Sequence, residues 1–153
     1  MDGALAPGAT AKDLILAIIA CIGNAGAAGH IVEYAGAAIR NLSMEGRMTV
    51  CNMSAEAGAR AGLIASDQTT FDYLAACTNV ATGAGWYAAL ADWQGLTSDD
   101  GARFDREIQF DSGDVAPLGH QPGGIGAGEW SCAGAGCSGR YWPAPAHGGS
   151  ARL

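Results

Sequence analysis

Two kinds of apolar pattern alternate along the first 117 residues, and this alternation constrains the fold more than any other feature of the sequence. Residues 14–22 repeat Leu and Ile every three to four positions, as one face of a helix requires. Short β-branched and aromatic runs at 30–36, 62–66 and 106–112 are typical of strands. Helices interleaved with short strands indicate an α/β fold, so we expect residues 1–117 to form an α/β domain.

Capping residues predict where the helices begin and end. Thr10, with Asp13 three residues later, forms a capping-box pattern that begins a helix, and Gly23 can end this helix. Ser43 can cap a second helix over residues 44–60. Two further helices are predicted, at residues 69–76 and 85–96.

The last 36 residues differ in composition from the rest of the chain. Residues 118–153 contain ten glycines, only three charged residues (Glu129, Arg140 and Arg152) and no apolar periodicity. A segment of this composition cannot bury enough apolar area to offset the entropy cost of ordering its backbone. We therefore predict two regions, an α/β domain at 1–117 and a disordered Gly-rich tail at 118–153.

Charge and hydropathy argue against two classes of partner. The formal net charge is −7 and the eight basic residues are scattered, whereas nucleic-acid-binding domains usually carry a basic patch. The longest apolar run, residues 14–22, is shorter than the roughly 20 residues that span a bilayer. The residues before this run hold Asp2, Lys12 and Asp13, so they lack the clear positive region of a signal peptide. We expect no nucleic-acid partner, no membrane partner and a cytoplasmic location.

Two other patterns favour structural interpretations. GNAGAAGH at 23–30 follows a predicted helix and precedes a predicted strand, which is the reverse of a dinucleotide-binding turn. We interpret it as a tight helix-to-strand connection. The five cysteines are odd in number and widely spaced, without a Cys-x-x-Cys pair. We therefore expect buried or free thiols rather than a disulfide framework or a zinc site.

Asn52 and Glu56 form the polar pair most suggestive of a site. They lie four residues apart, so on a helix they share one face. An amide and a carboxylate on one face can hold a polar ligand or a metal-bound water, but such pairs are also common on solvated helix faces. The spacing alone leaves both interpretations open.

Five segments of the sequence resemble one protein family. They are TAKDLILAIIACIG, HIVEYAG, LSMEGRMTVCNMSAEAGARAGLI, TTFDYL and SDDGARFDREIQFD. Together they resemble the large subunits of 3-isopropylmalate dehydratases, in the aconitase family, across residues 3–117. The string EGRMTVCNMSAEAGARAG is the most specific part of this resemblance.

The resemblance implies a three-layer α/β/α domain around a four-iron–four-sulfur (4Fe-4S) cluster. It also implies a reaction, the isomerisation of 2-isopropylmalate to 3-isopropylmalate by dehydration and rehydration in leucine biosynthesis. One iron of the family's cluster lacks a cysteine ligand and acts as a Lewis acid on the substrate hydroxyl and carboxylate. The partner implied by the family is a small subunit that completes a heterodimer.

The resemblance also assigns roles to Asn52 and Glu56. Asn52 matches the family asparagine that lies against the cluster. Glu56 matches the family glutamate that hydrogen-bonds the oxygen on the open iron. We therefore expect these two residues to be an inherited part of a catalytic site.

The rest of the family's site has no counterpart in this chain. The three cluster cysteines follow the matched region, the substrate-contacting histidines precede it, and the catalytic serine lies in the small-subunit type of domain. Cys51 is not a cluster ligand in the family, and Cys77 only echoes a cluster-cysteine motif at the wrong place. We expect no cluster-binding or metal-binding residues here and no activity of the chain alone. The alternative is a non-catalytic module that binds a partner subunit.

The family also suggests an origin for the tail. For one choice of largely GC-rich codons for residues 118–130, reading them one base later gives Trp-Gly-Thr-Asn-Pro-Glu-Glu-Ser-Ala-Pro-Val-Asn, which resembles what the family carries next. We infer a frameshift just after Pro117, in the gene or in its sequencing. The chain is then expected to be an internal part of a large subunit followed by accidental sequence.

Overall fold

Helices and short strands alternate along the described part of the chain. This computed structural model describes residues 1, 3–115 and 117, and the backbone of residues 150–152. The helices are α1 Ala11–Ile22, α2 Ala37–Arg40, α3 Met44–Met53, α4 Gln68–Ala75 and α5 Ala84–Gln94. The strands are β1 Ile31–Glu33, β2 Ala61–Leu63, β3 Arg106–Glu107 and β4 Ser150–Arg152. Short 3₁₀ helices cover Ser54–Ala57 and Ser112–Asp114. The predicted α/β class is confirmed.

The first helix begins where its capping residues predict. The Thr10 hydroxyl accepts a hydrogen bond from the Asp13 amide at 3.3 Å, and the Asp13 carboxylate accepts one from the Thr10 amide at 2.7 Å. This capping box satisfies two amides that the start of a helix leaves without partners. Gly23 follows the last turn with φ of 85°, a conformation that favours glycine.

All four strands run parallel in one sheet with the order β2-β1-β4-β3. Val32 of β1 is level with Gly62 of β2 on one side and with Ala151 of β4 on the other. The chain passes from β1 outward to β2 and then returns across the sheet to β3. This crossing leaves β2 at an edge of the sheet, beside α3.

Apolar residues of α1, β1 and α3 form the centre of the core. Leu14, Ile15 and Ile18 on α1 are at most 1 % exposed, which confirms the predicted apolar stripe. Val32 and Val50 are equally buried. Burial of each such side chain contributes about 1.5–3 kcal/mol. The core therefore fixes α1 against α3, which in turn contacts β2. No helix in the described part of the chain has the length and apolar character needed to cross a membrane.

Buried Arg47 ties three helices together. Its guanidinium donates to both carboxylate oxygens of Asp67, at 2.6 and 2.8 Å, and to the carbonyls of Arg40 and Leu42, at 2.8 and 3.2 Å. Asp67 also caps α4 by accepting from the Thr70 amide at 3.3 Å. The hydrogen bond from Arg47 holds the pKa of Asp67 below its ordinary value. The end of α2, the body of α3 and the start of α4 are thereby fixed to one another.

The second predicted helix is interrupted. The sequence predicts a helix over 44–60, but α3 ends at Met53 and a 3₁₀ helix follows over Ser54–Ala57. Gly58 then adopts the left-handed conformation, with φ of 80°, and ends the helical segment. Glu56 is therefore not on the α-helix that the sequence predicts.

One predicted strand differs from the structure in extent, and one short helix was not predicted. The strand predicted at 106–112 is reduced to the two residues of β3, and the chain turns into a 3₁₀ helix at Ser112. Helix α2 was not predicted because four residues are too few to show a helical period.

Most of the predicted disordered tail lies outside the described residues. Residues 150–152 are described, and they form β4 between β1 and β3. This pairing has a physical reason, since β1 and β3 each present backbone groups that an inserted strand can satisfy.

Candidate functional site

Asn52 and Glu56 lie on a surface segment where α3 changes into the 3₁₀ helix. Asn52 is in the last turn of α3, Glu56 is in the 3₁₀ helix, and both are exposed. In a continuous α-helix, side chains four residues apart differ by about 40° around the axis. Tightening the second half of the segment to 3₁₀ geometry widens this angle to roughly 80°. The two groups therefore lie on adjoining parts of one surface rather than on opposite faces.

The edge strand β2 supports this segment closely. Both α3 and the 3₁₀ helix pack against β2. A Cβ on Gly62 would collide with the Ser54 hydroxyl oxygen and would lie 3.0 Å from both the Cα and the carbonyl oxygen of Cys51. Such distances are far inside ordinary contact, so glycine at position 62 permits the approach. The turn between Asn52 and Glu56 is therefore pressed directly onto the sheet.

The glycine-rich connection after α1 supports the other side of the segment. The Ala27 amide donates to the carbonyl of Ala57 at 3.0 Å, and the Arg60 amide donates to the carbonyl of His30 at 2.8 Å. Residues 24–29 form consecutive turns between α1 and β1. The interpretation of GNAGAAGH as a tight helix-to-strand connection is confirmed, and this connection holds the end of the 3₁₀ helix.

Asn52 and Glu56 present groups that suit a small polar ligand. A carboxylate accepts hydrogen bonds, whereas a side-chain amide both donates and accepts them. Together they can orient a hydroxyl or carboxylate group of a substrate. Among the described residues, no three His, Cys, Asp or Glu side chains converge on a common point.

The described cysteines do not fit a 4Fe-4S cluster. Cys51 on α3 is half-buried, and burial raises the pKa of its thiol, which disfavours the thiolate that binds iron. Cys77 is an exposed thiol beyond the end of α4. Cys21 on α1 is disulfide-bonded, so the expectation of a thiol is wrong at this position. The odd number of cysteines leaves at least one of them unpaired, but it did not exclude a bridge at Cys21.

Sequence reasoning missed Tyr34 and Ser54, which support the site from inside. Their hydroxyl oxygens lie 2.8 Å apart, and both side chains are buried. Burial raises the pKa of Tyr34, which therefore stays a neutral phenol. The two residues are 20 positions apart, so no periodic pattern links them. The available signal was that each lies within a motif that carries the family resemblance.

Comparison with known proteins gives the chain a family context. The model of a family described as "Aconitase family (aconitate hydratase)" matches residues 1–123. A curated 3-isopropylmalate dehydratase large subunit from Anaeromyxobacter dehalogenans strain 2CP-1 is 58 % identical over 118 residues. That alignment covers 77 % of this chain and 25 % of the relative. The chain therefore spans about a quarter of the length of this curated relative.

Proposed function

The chain belongs to the aconitase family, and from this premise we propose that residues 1–117 work as part of a 3-isopropylmalate dehydratase large subunit. The observation that carries the proposal is the 58 % identity to such a subunit over 118 residues. The family match also includes Asn52 and Glu56. In the complete enzyme the reaction would be the interconversion of 2- and 3-isopropylmalate by loss and return of water.

Within this proposal, Asn52 and Glu56 contact the substrate region. The Glu56 carboxylate is exposed and can accept a hydrogen bond from a hydroxyl group or a water. The Asn52 amide can donate to a neighbouring oxygen from the adjoining part of the same surface. Because the backbone between them is pressed onto β2, the positions from which the two side chains extend are fixed before any ligand binds.

The remaining parts of the reaction come from outside this chain in the proposal. A 4Fe-4S cluster would supply Lewis-acid chemistry, held by cysteines from other parts of a complete large subunit. A small subunit would supply the catalytic serine and complete the heterodimer. The chain alone is then inactive, and the complete enzyme acts in the cytoplasm.

A segment exchange tests this proposal. Residues 1–117 replace the matching stretch of the Anaeromyxobacter large subunit, and the chimera is expressed with a small subunit. We expect the chimera to dehydrate isopropylmalate, measured by the near-ultraviolet absorbance of the unsaturated intermediate. A chimera that folds and incorporates its cluster but shows no turnover would contradict the proposal. If the isolated chain also bound the small subunit in that case, the partner-binding alternative would be supported.

A further inference from the structure

The change from α to 3₁₀ geometry depends on an exchange of hydrogen bonds at Ser54. In a continuing α-helix the Ser54 amide would donate to the carbonyl of Val50, four residues earlier. Here that amide donates to the carbonyl of Cys51 instead, three residues earlier. The carbonyl of Val50 is satisfied by the Ser54 hydroxyl, which donates to it at 3.0 Å. The side chain of Ser54 thus takes over the bond that its own backbone gives up.

Tyr34 completes this arrangement from β1. A serine hydroxyl carries one proton, and that of Ser54 is already donated to the carbonyl of Val50. The phenol of Tyr34 must therefore be the donor in its 2.8 Å hydrogen bond with the Ser54 oxygen. Tyr34 is 2 % exposed and Ser54 is 1 % exposed, so water cannot replace either bond.

We propose that Tyr34 and Ser54 are positioning residues that hold the 3₁₀ turn and thereby set the direction of Glu56 relative to Asn52. This inference rests on the proposed function, because the direction of Glu56 matters for activity only if Glu56 acts at the dehydratase site. Without the Ser54 hydroxyl, the buried carbonyl of Val50 needs the Ser54 amide again, and the α-helix extends. The angle between the Asn52 and Glu56 side chains around the helix axis then narrows by roughly 40°, to the value for a continuous α-helix.

Nuclear magnetic resonance of the full 153-residue chain tests the proposal without activity. The informative signals are nuclear Overhauser contacts from the Hα of Met53. A contact to the amide of Ala55 marks 3₁₀ geometry, and one to the amide of Ala57 marks α geometry. We expect Ser54→Ala to lose the first and gain the second. In Tyr34→Phe, we expect the Gly58 and Ala59 amides, which close the turn, to exchange roughly tenfold faster.

Thr49→Ala is the matched control. Thr49 lies on the same helix, and its hydroxyl donates to the carbonyl of Glu45 at 2.8 Å, again four residues earlier, but at an exposed position. This variant should change neither signal. Unchanged contacts in Ser54→Ala together with unchanged exchange in Tyr34→Phe would overturn the proposal. If Ser54→Ala does not fold, the exchange rates of Tyr34→Phe decide alone.

The dehydratase chimera separates this inference from the proposed function. With the proposal correct, Tyr34→Phe in the chimera lowers kcat at least several-fold while KM stays within twofold, and Thr49→Ala leaves both unchanged. An inactive chimera overturns the proposed function and does not affect the nuclear magnetic resonance test of the 3₁₀ turn. An active chimera with unaltered kcat in Tyr34→Phe overturns the positioning role alone.

Discussion

The buried polar groups that connect the elements of this structure were the hardest residues to identify from sequence. Arg47 is 3 % exposed although arginines are mostly exposed in proteins. Nothing in its neighbours indicates that it meets Asp67, 20 positions later. Asp67 could have been recognised as a helix cap, but its partner could not. Contacts of this kind depend on tertiary packing, which local patterns do not encode.

The ion pair of Arg47 and Asp67 makes stability depend on acid pH. Because the pKa of Asp67 is lowered in the folded chain, its contribution is present above the unfolded pKa of about 3.9 and is lost as pH falls through the folded pKa. Asp67→Asn should cost about 2 kcal/mol at pH 7, less than a fully buried pair because the Asp67 side chain is 34 % exposed. Urea unfolding at pH 7 and at pH 2 measures this difference.

The stability difference between the native chain and Asp67→Asn should shrink between these two pH values. Asp72→Asn is the control, since Asp72 lies on the same helix and only accepts an exposed hydrogen bond from Gln68. That variant should stay within about 0.5 kcal/mol of the native chain. If Asp67→Asn lowered the free energy of unfolding equally at pH 7 and pH 2, the ionised pair would not be the source of the loss.

Two glycines offer a matched test of the close packing behind the site. Gly62→Ala places a Cβ against the Ser54 oxygen and the backbone of Cys51, so it should destabilise the chain by about 1–3 kcal/mol. Gly85→Ala, within α5, meets only the Cβ of Ala81 at an ordinary 3.5 Å. It should stabilise by up to about 1 kcal/mol through helix propensity. Thermal unfolding of both variants would refute the packing argument if the two shifts were equal.

At the level of elements, the first residues of the helices were predicted better than the last ones. Thr10 and Ser43 begin α1 and α3 as predicted, because a capping side chain acts within four residues of itself. The end of α3 was missed because the 3₁₀ turn depends on Tyr34 and on the approach of Gly62, both distant in sequence. Strand β4 was missed for a related reason, since its pairing with β1 spans more than 100 residues.

The capping box of α1 makes a prediction of its own. Thr10→Ala removes the hydroxyl that accepts from the Asp13 amide, and it should cost about 1 kcal/mol. The loss matters because α1 carries a large part of the core. Thr49→Ala, on an exposed face of α3, should leave the urea midpoint nearly unchanged. Equal midpoints for the two variants would show that the capping box does not stabilise α1.

At the level of the whole molecule, the α/β class followed from alternating patterns, but the strand order did not. Local periodicity marks β1 and β2 as strands without saying that the chain then returns across β1 to reach β3. The candidate site was likewise predictable only in part. The spacing of Asn52 and Glu56 is visible in the sequence, whereas the widened angle between them comes from the 3₁₀ turn, whose contacts with Tyr34 and Gly62 are distant in sequence.

The isolated chain should bind no stable 4Fe-4S cluster and should not turn over isopropylmalate. Such a cluster needs converging thiolates. Of the described thiols, Cys51 lies on α3 and Cys77 lies beyond the end of α4. The measurement is anaerobic reconstitution with iron and sulfide in the presence of the small subunit. A stable brown protein with dehydratase activity would contradict the division of the site between this chain and other segments.

The proposed contribution of Glu56 to a dehydratase site can be measured as one ratio of activities. In the chimera carrying residues 1–117, kcat/KM for isopropylmalate is compared between Glu56→Gln and Glu45→Gln. Both change an exposed glutamate of the same helical region to its amide. We expect a loss of roughly 10- to 100-fold for Glu56→Gln, which keeps the size of the side chain but removes the charged hydrogen-bond acceptor, and a change within twofold for Glu45→Gln. Equal kcat/KM for the two variants would contradict it.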